Sequence, residues 1–62
     1  MSDIEIREGN RRLESFRADI DPDDEAECVA LLRRRAKQLR RPVERLVLIT
    51  WTPRHIRRTY RA

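Results

Sequence analysis

Apolar and polar positions change period several times along this chain. Residues 2–8 alternate, with Ile4 and Ile6 on one side, and Gly9-Asn10 follow as turn formers. This reads as a short strand or a disordered arm. In residues 13–20, Phe16, Ala18 and Ile20 sit at period two, with Ser15, Arg17 and Asp19 between them. A half-buried strand is the preferred reading, although Leu13, Phe16 and Ile20 also fit a helical face. Asp21 then offers an N-cap, Pro22 suits a first helical position, and Asp23, Asp24 and Glu25 favour a first turn. The predicted helix runs to Leu39 or Arg40, with Ala26, Val29, Leu32, Ala36 and Leu39 on its apolar face.

Pro42 ends that helix and starts the next. Val43, Leu46, Val47, Thr50 and Trp51 fall at helical spacing, while Leu48 and Ile49 lie on the other side. A second helix, apolar nearly all round, is expected here. A buried strand over Leu46–Trp51 is the competing reading, because the run is β-branched. Thr52-Pro53 repeats the cap signal, and a short helix from Arg54 to Tyr60 is predicted after it. The expected fold is therefore mostly α with a short N-terminal strand. Its parts are an arm or extra strand at 1–12, a domain at 13–51 and a basic helical tail at 52–62.

Length changes the picture. A 62-residue chain makes a thin core, since domains this small bury only about 60% of the surface that the unfolded chain exposes. One cysteine, Cys28, allows no internal disulfide, and one histidine, His55, gives no ligand set for zinc. Neither metal nor cofactor is expected. A homodimer remains as the way to bury the second helix, with Phe16, Ala18, Ile20, Leu32, Leu46, Val47 and Trp51 as its core.

Charge is distributed unevenly. Residues 1–27 hold ten acids against four arginines, and residues 28–62 hold eleven Lys/Arg against Glu44 alone. A basic half of this density points to a polyanion partner. An enzyme is not expected. His55 lies among arginines, acids near Cys28 disfavour a thiolate, and Gly9 is the only glycine. The acidic N-terminus and the short apolar run Leu46–Ile49 predict neither a signal peptide nor a membrane span, and the unpaired thiol suits a cytoplasmic protein.

The order of strand, capped helix, turn and apolar helix resembles the ribbon-helix-helix family of DNA-binding proteins. Ser15-Phe16-Arg17-Ala18-Asp19-Ile20 resembles the family ribbon. The stretch from Leu32 through Ala36, Leu39, Pro42, Val43 and Leu46 to Val47 resembles its two helices and turn. The resemblance implies a dimeric, sequence-specific regulator of double-stranded DNA, of repressor or antitoxin type. Base contacts would come from Ser15, Arg17 and Asp19, and phosphate contacts from Arg40, Arg41 and Val43. A second resemblance, to the recognition helix of a helix-turn-helix domain, covers residues 49–60. It would place Arg54, His55, Arg57 and Arg58 in the major groove. A third reading is a small adaptor, antitoxin or phage inhibitor that grips a protein partner through its acidic N-terminal arm or its basic tail, residues 52–62.

Overall fold

The computed structural model describes residues 1–62 apart from Pro53 and His55, so the predicted Thr52-Pro53 cap and any role for His55 lie partly outside the described residues. The elements are β1 (Ser2–Glu8), β2 (Arg11–Ala18), α1 (Glu25–Leu39), β3 (Leu46–Trp51) and β4 (Arg57–Tyr60), with a three-residue 3-10 turn at Val43–Arg45 before β3. The strands form one antiparallel sheet in the order β2-β1-β3-β4. The helix packs on one face of it.

The alternation in residues 2–8 produces an interior strand. Ser2, Ile4 and Ile6 are buried toward α1, while Asp3, Glu5 and Arg7 point to the other face. Gly9 has φ 61° at the first of two loop positions, as a type II′ hairpin requires, and it joins β1 to β2. One extra residue in β2 breaks the register between Ile6 and Arg7, and this residue, Leu13, packs against the core.

The helix starts later than the sequence suggested. Asp24, not Asp21, is its N-cap and accepts from the Glu27 amide at 3.1 Å. Asp21 instead organises the preceding turn, accepting from the Asp23 amide at 2.9 Å. The helix ends before Pro42. Arg40 takes the left-handed conformation (φ 56°), and the Arg40 and Arg41 amides donate back to the carbonyls of Lys37 and Ala36. This is the Schellman pattern, at a position where glycine is the usual residue.

The structure overturns the ribbon-helix-helix resemblance and the mostly α fold class. β2 pairs with β1 of the same chain, so no ribbon from two subunits is needed to satisfy it. The expected second helix is the 3-10 turn followed by β3, and the competing strand reading was the right one. β3 lies between β1 and β4, and residues Leu46 to Thr50 are all buried. A strand buried on both faces has no alternation, so its spacing can mimic a helix. Burial on both faces within one chain also removes the premise that led to a second subunit. The C-terminal helix is likewise corrected: Arg57–Tyr60 is the edge strand β4, held against β3, which removes the helix-turn-helix alternative as well.

The core consists of Ile4, Ile6, Cys28, Leu31, Leu32, Ala36, Leu46 and Leu48, with Phe16, Ala18, Ile20 and Tyr60 packed against it. Leu32 and Leu46, expected in an inter-subunit core, thus meet inside one chain. Arg35 ties α1 to β2: it donates to both carboxylate oxygens of Glu14 (2.6 and 2.5 Å) and lies 5.4 Å from the Phe16 ring centre. The Tyr60 hydroxyl donates to the Pro22 carbonyl at 2.5 Å and ties β4 to the entry of α1.

Candidate nucleic-acid interface

The helix periodicity that buries Leu32 and Ala36 leaves Arg33, Arg34, Lys37 and Arg40 exposed. Lys37, in the last turn, also suits the negative end of the helix dipole. Arg33, Lys37 and Arg40 follow the i, i+4, i+7 row and line a groove of about 550 Å³ together with Arg41. Ala36, Val43 and Ala62 supply its apolar part, and no acid lines it among the described residues. A second depression, lined by Glu8, Gly9, Arg45, Val47 and Arg61, neighbours the first through the adjacent residues Arg61 and Ala62. Cations therefore run around one end of the molecule.

The ion pairs separate cations engaged in the fold from those that are not. Arg7 and Arg12 hold Glu5, Arg17 holds Asp3, Arg35 holds Glu14, Arg41 holds Glu8 and Arg58 holds Asp23. Among the described residues, Arg11, Arg33, Arg34, Lys37, Arg40, Arg45, Arg54, Arg57 and Arg61 have no such partner.

The sequence-predicted site residues separate into different places. Arg40, Arg41 and Val43, expected to hold phosphate, come together at the basic groove. Ser15 and Arg17, expected to face bases, stand on the sheet face that α1 leaves uncovered, opposite Glu5 and Asp3. Asp19 lies beyond the end of β2 and is exposed. Arg57 faces the uncovered side opposite Trp51, whereas Arg58 pairs with Asp23 at the other end of α1. Arg54 borders a depression with Asp21, Pro22, Asp23, Thr52, Ile56 and Arg58. Of the expected dimer core, Phe16, Ala18 and Ile20 pack inside, Val47 is buried on the uncovered side, and Trp51 is exposed.

Sequence reasoning did not single out Arg33 and Lys37 as ligand contacts, although their spacing from Arg40 was visible. Cys28 is buried, and its thiol lies 3.6 Å from the Asp21 carbonyl. Burial, with added repulsion from Glu27 and the nearby aspartates, pushes it up to about 11, so it stays protonated at neutral pH. No cluster of three metal-ligating side chains occurs among the described residues. No helix there is long and apolar enough to cross a membrane. No known protein family, no curated protein and no solved structure matches this chain.

Proposed function

We propose that the protein binds double-stranded nucleic acid by its phosphate backbone, without catalysis and with little dependence on base sequence. The observation that supports this most is the stripe Arg33, Lys37 and Arg40, joined by Arg41 in one groove that no acid lines among the described residues. Seven residues of helix separate the ends of the stripe, which is about 10.5 Å at the helical rise. Successive phosphates of one DNA strand advance about 3.4 Å along the axis, so the stripe covers about three steps.

Backbone binding without base reading fits the placement of the other residues. Ser15 and Arg17 face away from the groove, on the opposite side of the sheet, and are not offered to the same duplex groove. Phosphate contacts position a protein but carry no sequence information. One chain holds the whole groove, so no second subunit is invoked. A nucleic-acid ligand and an unpaired thiol both suit a cytoplasmic location.

The test is titration of a fluorescent 20-base-pair duplex of arbitrary sequence, comparing the protein with the triple variant Arg33→Gln, Lys37→Gln, Arg40→Gln. Each neutralised phosphate contributes about 0.9 log unit of affinity between 1 M and 0.1 M salt. Three lost contacts should therefore lower affinity at 0.1 M salt about 500-fold. Equal binding by both proteins, or none by the parent, contradicts the reading.

A further inference from the structure

The uncovered face of the sheet is a second surface that duplex binding does not use. Val47, Ile49 and Trp51 of β3 point to it, because their cross-strand neighbours Arg7, Glu5 and Asp3 alternate with the buried Ile4 and Ile6. Val47 and Ile49 are already covered, at 9% and 1% exposure, whereas Trp51 is 37% exposed. An indole on an interior strand is thus offered to solvent above a floor that is otherwise closed.

The charges around it are matched on one side and in excess on the other. Asp3, beside Trp51 on β1, is held by Arg17 at 2.9 Å. Glu5 is held by Arg7 and Arg12. Arg57, beside Trp51 on β4, has no ion pair among the described residues. The face therefore presents an aromatic plane among arginines, with each acid neutralised. A second copy of the chain is a poor occupant. A two-fold contact would set these arginines against one another and cover little apolar surface beyond Trp51.

We propose that this face binds single-stranded nucleic acid, one base stacking on Trp51 and a flanking phosphate meeting Arg57, while Arg17 keeps Asp3 neutralised beside it. Only an unpaired base exposes its π-face; in a duplex that face is stacked on its neighbours. The proposal shares its ligand class with the backbone reading but uses a different surface and different residues.

Trp51 is the only tryptophan, so its emission reports directly on the site. The probes are a twelve-residue oligothymidylate and a labelled duplex, each followed by tryptophan emission and by anisotropy. The expected result is that the single strand quenches Trp51 while the duplex binds without quenching. Trp51→Ala should weaken the single strand by about 5- to 150-fold and leave the duplex unchanged. Trp51→Phe, which keeps a ring, should retain most of the affinity, and circular dichroism checks that both variants fold. Duplex binding with no quenching by the single strand, and a Trp51→Ala protein that binds the single strand normally, overturns the stacking site and leaves the backbone reading standing. Quenching by the single strand without any duplex binding does the reverse.

Discussion

At the start of α1 the three aspartates are occupied, while Glu25 and Glu27 stand exposed in the first turn with no ion-pair partner among the described residues. Asp21 accepts from the Asp23 amide, Asp24 accepts from the Glu27 amide, and Asp23 pairs with Arg58 at 3.1 Å. At the other end, Arg33, Arg34 and Lys37 of the same helix, and Arg40 at its cap, have no ion-pair partner among the described residues. Both ends agree with the helix dipole. The aspartates are explained by turn and cap formation and by the pair with Arg58, and Glu25 and Glu27 by their place in the first turn. The basic end holds more charge than one helix terminus needs, and that charge lines a groove. A run of charge in a sequence acquires meaning from the partners that the fold leaves it.

Variants can break this comparison. Asp24→Ala removes the N-cap and should cost about 1 kcal/mol of stability. Its duplex affinity should stay within about two-fold, because the electrostatic reach to the groove is damped by salt over about 10 Å. A large loss of binding with unchanged stability would place the acidic end in the ligand site. Thermal unfolding and anisotropy measure the two effects.

Arg40→Gly sharpens the comparison at a single residue. Arg40 holds a left-handed conformation that disfavours a side chain, so glycine should stabilise the fold by up to about 1 kcal/mol. Loss of its charge should at the same time weaken duplex binding by about 8-fold at 0.1 M salt. A variant that gains stability and loses affinity shows that the cation is retained for binding; a gain in stability with unchanged affinity removes Arg40 from the groove's function.

The sequence made some of this legible and hid the rest for definite reasons. Ile4 and Ile6 alternate because one face of β1 meets α1, so that strand was readable, as was the Gly9-Asn10 turn. The helix was readable from Leu32, Ala36 and Leu39, although its cap is Asp24 and not the expected Asp21. β3 was misread because Leu46 to Thr50 are buried on both faces, which erases the period of two. β4 was misread because Ile56 and Tyr60 stand four apart after a cap-like Thr52; contact with β3 decided the outcome. Of the basic groove, Arg40 and Arg41 were foreseen as phosphate contacts. The exposure of Trp51 was not, since it depends on which face of the sheet α1 covers.

The central claim, that the basic end of α1 holds phosphates, is tested most directly by the salt dependence of duplex binding. If Arg33, Lys37 and Arg40, the groove cations without an ion pair, each neutralise one phosphate, log K against log salt should fall with a slope of about −2.7. In the triple variant, whose remaining groove cation Arg41 is held by Glu8, the slope should flatten toward zero. Equal slopes for the two proteins, or a slope near zero in the parent, would contradict the account.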